Sequence, residues 1–225
     1  MRVVIAGAGR AGLSVAIHLR EMGHDVTVVD RDPTLTSRAF EQHGLIALVG
    51  DATDARLLKE AEVSRADVVA AMLRRDSDNL AVALLSQAAG AGRVMVRMRD
   101  PEYGPVYERA KIDRVFSEMD VFIGAMGTAI EHSAVRHALL LGKGASVAFE
   151  MEIPPDAAVV GQTVSAIAAD PEFPISCVFA AMHLPDGTVQ APRGSSIVQS
   201  GMLLLLVAAR HELGHVIPFF LRKGS

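Results

Sequence analysis

The chain has 225 residues, 50% of them hydrophobic, and a formal net charge of −4. That length holds one large domain or two small ones, each with a real core, and the mildly acidic balance excludes the basic footprint of a nucleic-acid binder. A single cysteine, Cys177, excludes an internal disulfide framework and fits a reducing cytosol.

The chain begins with an apolar strand, residues 2–6, which is no signal peptide because it runs directly into a glycine-rich turn. That turn is Gly7-Ala8-Gly9-Arg10-Ala11-Gly12, and a helix follows to Met22 with Leu13, Ala16 and Ile17 on one face. A second strand, Val26 to Asp30, ends in an acid followed by Arg31. Strand, glycine turn, helix, strand and acid make up a dinucleotide-binding βαβ unit. Gly7 permits the tight turn, Gly9 lets a pyrophosphate approach the backbone, and Gly12 lets helix and strand pack closely. The helix N-terminus supplies free N–H groups and a favourable dipole for phosphate, and Asp30 is placed to bind ribose hydroxyls.

Strand and helix signals continue to alternate, which implies a parallel sheet with helical crossovers. Residues 45–49 read as a third strand, running into Gly50-Asp51-Ala52-Thr53-Asp54, where Thr53 or Asp54 caps a helix carrying Leu57, Leu58 and Ala61. Strands follow at 67–71, 94–97 and 113–117, with a helix from Arg74 through Gln87 after the fourth strand. The small, apolar stretch from Met119 to Leu141 reads as a helix ending in a linker, Gly142-Lys143-Gly144. Beyond it, short strands and turns such as Pro185-Asp186-Gly187 indicate a small α+β domain. The apolar run Met202 to Ala209 is too short to span a bilayer and reads as a buried strand. The fold class is therefore α/β, a Rossmann-like doubly wound parallel sheet with a small C-terminal α+β domain. The divisions are 1–120, a connecting helix at 121–144, and 145–225.

Several residues carry chemistry. Arg10, inside the glycine turn, puts a fork of donors beside the phosphates and favours ATP or ADP, with NAD(H) open; its bland reading is a solvated arginine at a helix start. Asp51 follows the third strand, where a loop can reach an adenine edge, or it simply stabilises its own turn. Asp76 and Asn79 open a helix at the carboxyl end of a strand, the place where ligands bind in such sheets, and capping is the competing role. Arg97 and Arg99 flank Met98 and share one face, toward the pocket, a subunit interface or a surface ion pair. His211-Glu212-Leu213-Gly214-His215 matches a zinc-protease pattern, but Gly214 weakens a helix there and Pro218 interrupts it. Leu213, Ile217 and Leu221 are instead expected to pack a terminal helix on its own domain. His132 and His137, on the connecting helix, are spaced wrongly for a metal pair.

Taken together, these residues resemble the RCK (regulator of K⁺ conductance) domains of Trk/Ktr-type potassium-uptake regulators. The N-terminal half carries the glycine turn, Val29-Asp30, Gly50-Asp51-Ala52-Thr53, Ala66-Asp67, Asp76 with Asn79, and Asp113 through Glu118. The C-terminal half is similar to the accompanying RCK-C module in residues 150–154, 160–164 and Asp186-Gly187 with Pro192-Arg193-Gly194. Two positions depart from the pattern: Gly201-Met202 stands where the family usually has Gly-Asp, and Ser117 where it often has Pro.

The resemblance implies an adenine-nucleotide pocket lined by Gly7, Ala8, Gly9, Arg10, Ala11, Gly12, Asp30, Arg31, Gly50, Asp51, Ala52, Thr53, Asp76, Asn79 and Arg97. It implies a divalent cation held by Glu118 at a dimer interface, although hard cations want several oxygen ligands. It further implies a cytoplasmic, non-enzymatic regulatory subunit at the inner face of the membrane. Such a subunit gates a membrane-embedded potassium transporter or channel and assembles as a homo-oligomer of dimers, up to a tetramer or octameric ring. Residues 122–126 with Ala129 and Ile130 are the sequence's proposal for the dimer contact, against packing within one subunit. The rival reading is an NAD-dependent oxidoreductase, which would need an acid/base group near the nicotinamide.

Overall fold

The computed structural model describes residues 1–224, which divide into two compact units at Met119/Asp120. In the first, the chain alternates β1 (Arg2–Ala6), α1 (Arg10–Glu21), β2 (Asp25–Asp30), α2 (Pro33–His43), β3 (Ile46–Val49) and α3 (Ala55–Glu60). It continues with β4 (Val68–Ala71), α4 (Asp76–Ala88), β5 (Val94–Met98), α5 (Gly104–Arg109) and β6 (Arg114–Ser117), and then enters α6 (Glu118–Glu131). The strands pair in parallel in the order β3-β2-β1-β4-β5-β6. This is the doubly wound order, in which the chain reverses direction across the sheet between β1 and β4 and leaves a crevice there.

Period-two alternation sorts the core onto two faces of the sheet. Val3 and Ile5 of β1 join Leu13 and Ala16 of α1 and Ala39 of α2, with Met95 of β5 at the margin. Val4 and Ala6 face the other way, toward Leu58 of α3 and Val82 and Ala83 of α4. Each such fully buried aliphatic side chain contributes about 1.5–3 kcal/mol, which is why strands buried on both faces read as continuous apolar runs. Helix ends are set locally. The Asp32 carboxylate accepts from the Thr34 N–H to cap α2, and Asp54, rather than Thr53, accepts from the Arg56 N–H to cap α3.

The second unit is an antiparallel sheet in the order β10-β9-β11-β8-β7. Its elements are β7 (Val135–Leu141), β8 (Ser146–Glu152), α7 (Val164–Ala168), β9 (Val178–His183), β10 (Val189–Gln190), β11 (Leu203–Ala209) and α8 (Leu213–Leu221). Alternate residues Val147, Phe149 and Met151 of β8 and Leu204 and Leu206 of β11 are buried with Val216, Ile217 and Phe220 of α8. Phe173, Phe179, Phe219 and Phe220 stack or meet edge to face, and the Arg222 guanidinium lies 4.2 Å from the Phe219 ring centroid. Arg222 also pairs with Asp170 and Glu172.

Three expectations are corrected here. The helix expected to reach Leu141 ends at Glu131, and residues 135–141 form the strand β7, so His137 lies on a strand opposite Glu150 and His132 lies beyond the helix. Leucine- and alanine-rich runs suit either state, and pairing with β8 decides this one. Gly142 and Gly144, both at positive φ, close the β7–β8 hairpin instead of linking domains. Pro218 does not interrupt the terminal helix: it sits inside α8 on the solvent side, while Val216, Ile217, Phe219 and Phe220 around it are buried. Their burial offsets the roughly 3 kcal/mol that an interior proline costs.

Cys177 is buried, and burial together with the nearby Glu212 charge pushes its thiol up to about 12. The neutral thiol is a poor nucleophile. Labelling with a thiol-reactive disulfide at pH 8 is therefore expected to be negligible in the native state and to track global unfolding in urea.

Candidate functional site

The carboxyl ends of β1 through β6 carry every loop implicated by the sequence, and the glycine turn sits at the reversal in strand order. Its three glycines answer to three different constraints. Gly7 has φ +111°, and a Cβ there would lie 2.9 Å from the Met72 carbonyl oxygen. A Cβ on Gly12 would come within 1.9 Å of the Gly7 carbonyl oxygen, so only glycine allows α1 to start this close to β1. Gly9 is different: its backbone is extended (φ −63°, ψ 177°), and a Cβ would meet nothing within 4 Å. Nothing in the protein itself requires glycine at that position. Glycine there leaves the space above the helix N-terminus open, so that a group could approach the backbone closely.

Gly9 is also the N-cap of α1 and contributes no side-chain cap, and the first turn holds no acidic residue. The leading N–H groups of a helix have no intrahelical partner, so the N–H groups of Arg10, Ala11 and Gly12 are available to a ligand. Arg10 and Ala11 are exposed, and Ala8 is buried. The Ala8 N–H donates to Asp30 Oδ2 at 2.7 Å while Asp30 Oδ1 accepts from the Asp32 N–H at 2.9 Å. These bonds fix the Asp30 carboxylate beside the crest of the glycine turn.

The next loop is tied to Asp30 through the Gly50 N–H, which donates to the Asp30 carbonyl at 2.9 Å. Asp51 Oδ1 accepts from both the N–H and the Oγ1 hydroxyl of Thr53. Those two bonds, aided by the Arg31 charge, hold the Asp51 carboxyl below the usual carboxylate range. Asp51 thus orders its own turn, with Ala52 buried beneath it. Asp76 and Asn79 are buried and used internally. Asp76 accepts from the Arg99 and Asp100 N–H groups and the Tyr107 hydroxyl, and burial together with this bond pushes the Tyr107 phenol up. Asn79 accepts from the Leu73 N–H at 2.7 Å and donates to the carbonyls of Leu73 and Arg97. Both residues brace the loops after β4 and β5, and neither caps α4.

Arg97 and Arg99 do come together, on Glu118. Arg97 Nη1 lies 3.9 Å and Arg99 Nε 3.4 Å from Glu118 Oε2. Register explains the meeting, since β5 and β6 are parallel neighbours with Met98 opposite Ser117. The pairing was missed because it requires knowing which strand lies beside which. One carboxylate between two guanidinium groups does not fit a divalent cation within this chain, and among the described residues no cluster of three His, Cys, Asp or Glu is assembled. The zinc-like motif is also dispersed: His211 precedes α8 in a 3₁₀ turn, and Glu212 accepts from the Ser176 hydroxyl.

Two surface concavities of about 510 and 500 Å³ lie along α2, lined by Pro33, Ser37 and Glu41, and at the opposite sheet edge beside Met1, Asp67 and Arg93. Neither includes the glycine turn. The site is an open edge with free amides, a fixed carboxylate at Asp30 and exposed arginines at positions 10, 31, 74, 75 and 99. Such groups can donate to an anion and accept from hydroxyls.

Residues 3–118 match the model of the TrkA-N domain family. A "Trk system potassium uptake protein TrkA homolog" of Methanothermobacter thermautotrophicus is 29% identical over 89% of this chain and 90% of its own length. One of the same description from Pyrococcus horikoshii is 25% identical over 99% of this chain and 98% of its own. Among solved structures, the "GsuK channel bound to NAD" is similar along 100% of this chain at a TM-score of 0.69 and 17% identity. This chain spans only 40% of that one, and the likeness is one of fold.

The glycine geometry separates folding from binding. Gly12→Ala is expected to lower the melting temperature, at a cost of about 2 kcal/mol or more from the backbone clash. Gly9→Val is expected to lose much less, no more than the ~1 kcal/mol of a poorer N-cap. Thermal denaturation of the two variants side by side checks both.

Proposed function

The chain belongs to the TrkA-N domain family, and on that premise we propose that it is a nucleotide-sensing regulatory subunit of a Trk-type potassium transporter or channel. One observation carries the reading: α1 begins with no side-chain cap, at a glycine, Gly9, above which a Cβ would meet nothing within 4 Å and a ligand has room to approach the free amides. Asp30, fixed by the Ala8 and Asp32 amides, is placed for ribose hydroxyls and favours a ligand without a 2′-phosphate. Arg10, at the first position of α1 and exposed, adds a guanidinium beside the phosphates. The proposed ligand is an adenine nucleotide, ADP or ATP ahead of NAD(H). The names of the relatives support the potassium-uptake role, and the NAD-bound channel among the structural neighbours supports a nucleotide as the class of ligand.

The proposed output is a change of shape, with no turnover. A nucleotide that binds one arrangement of assembled copies better than another shifts the population toward it and thereby acts on the membrane partner. No helix among the described residues is long and apolar enough to cross a membrane, so that partner would supply the pore. The α6 residues Val121, Phe122, Ile123, Met126 and Ile130 are exposed, and this apolar face is the proposed contact with a second copy. Gly124 is buried, and a Cβ there would lie 2.6 Å from Leu140 Cγ; it is therefore assigned to packing against β7 and not to the contact.

Thermal-shift titration with ATP, ADP, NAD⁺, NADH and NADP⁺ tests the reading. Stabilisation by ATP or ADP is expected, with NADP⁺ weakest, and Gly9→Val is expected to abolish the shift while lowering the unliganded melting temperature far less than Gly12→Ala. A protein that none of these stabilises would refute the sensor, and NADP⁺ selectivity would refute the role of Asp30.

A further inference from the structure

The edge strand β7 breaks its alternation once, and the break is aimed at two acids. Val135 pairs with Met151 and His137 with Glu150, so the ladder takes up Arg136 as an extra residue. Val135 is buried and Ala138 packs against the core of the second unit, while Arg136 and His137 between them are both exposed. Consecutive strand residues ordinarily point to opposite faces, and a bulge lets these two share the outward one. Glu150 and Glu152, two residues apart on β8, occupy that same face. Arg136 pairs with Glu152, and His137 Nδ1 lies 3.0 Å from Glu150 Oε2.

The two pairs differ in what pH does to them. Arg136 stays charged throughout, whereas an imidazole ordinarily titrates near pH ~6.5. A neutral ring can still donate to Glu150 from Nδ1, but a protonated ring adds charge, and charge-assisted bonds are roughly twice as strong. The Glu150 side chain is only 23% exposed, and among the described residues His137 is its one ion-pair partner. From β11, Leu205 stands opposite Glu150 and Leu203 opposite Glu152, so that strand brings no charge to either pair. The next titratable group along the row is His183 of β9, across Leu203 from Glu152.

We propose that the β7 bulge is a proton-operated clamp, in which protonation of His137 fastens the start of β7 to β8 through Glu150. β7 follows α6 after a short turn, where the Val135 N–H donates to the His132 carbonyl. The clamp therefore sets how firmly the chain is held where it leaves α6 and enters the sheet. Its ligand is the proton, and the nucleotide edge plays no part in it. Pairing favours the charged ring, so the fastening is present below about pH 6.5 and is lost as pH rises above it. It also fades near pH ~4.3, where carboxylates ordinarily protonate.

Hydrogen–deuterium exchange of the full chain at about pH 5.5 and about pH 8, either side of the ordinary imidazole range, tests this. Exchange is corrected for its intrinsic pH dependence and read on peptides covering residues 135–141, with peptides from β11 as the reference for any global change. The parent protein is expected to protect β7 about threefold more at the lower pH, the scale of an exposed ion pair. Glu150→Gln and His137→Gln are each expected to remove that difference. Arg136→Gln is expected to lower protection at both pH values and to keep the difference, because its pair does not titrate. Equal protection of the parent at the two pH values overturns the clamp. A difference that survives Glu150→Gln or His137→Gln overturns it as well, by assigning the effect to another group.

Discussion

The close approach of α1 to β1 is the constraint on which the site depends. A Cβ on Gly12 would sit 1.9 Å from the Gly7 carbonyl, so the turn from strand to helix closes only when both side chains are absent. Once it is closed, the first amides of α1 emerge directly above the end of the central strand, between β2 and β4. The parallel ladder then fixes everything else relative to that point. Asp30 stands one strand to one side and is bonded to Ala8; Met72 lies one strand to the other side, and Arg97 two.

Charge at this edge is ordered by the loops. The protein is net negative, and the carboxylates near the glycine turn are largely engaged by the loops' own amides. Asp30 binds the Ala8 and Asp32 amides, Asp32 and Asp54 cap helices, Asp51 binds Thr53, Asp76 binds the Arg99 and Asp100 amides, and Asp100 binds Glu102. These bonds hold the carboxylates against backbone dipoles. Arg10, Arg31, Arg74, Arg75 and Arg99 are exposed at the same edge as Asp32, Asp51, Asp100 and Glu118, so the rim presents both signs, with the acids fixed by the loops. Sequence-wide charge excluded a nucleic-acid surface but said nothing about this edge, because the sign there depends on which groups fold back.

Local chemistry was legible where one segment decides the outcome. The glycine turn, the strand ending in Asp30, the α4 start and the Pro185-Gly187 turn all formed, because a strand bounded by turn residues has few alternatives. Legibility failed where a distant partner decides. Residues 135–141 are leucines and alanines with good helix propensity, and only β8 makes them a strand. Pro218 reads as a stop until the phenylalanines flanking it are seen packed in the core. The roles of Asp76 and Asn79 were ambiguous for the same reason: their partners, Arg97, Arg99 and Asp100, lie some twenty residues away in sequence and are brought close by the β4–β5 pairing. The α/β class was therefore readable from the chain, and the use of each polar side chain was not.

Energetic scale limits what a site like this can do alone. An exposed ion pair contributes at most about 1 kcal/mol, so the contacts of Arg97 and Arg99 with Glu118 tie the start of α6 to β5 only weakly. Driving a two-state element from mostly off to mostly on takes about 5.5 kcal/mol of differential binding. A contact of this size falls well short of that alone. The exposed apolar face of α6 begins within a turn of Glu118, so the helix that is weakly tied to β5 also carries apolar surface, whose burial at about 25 cal/mol per Å² is the larger of the two energies available to it.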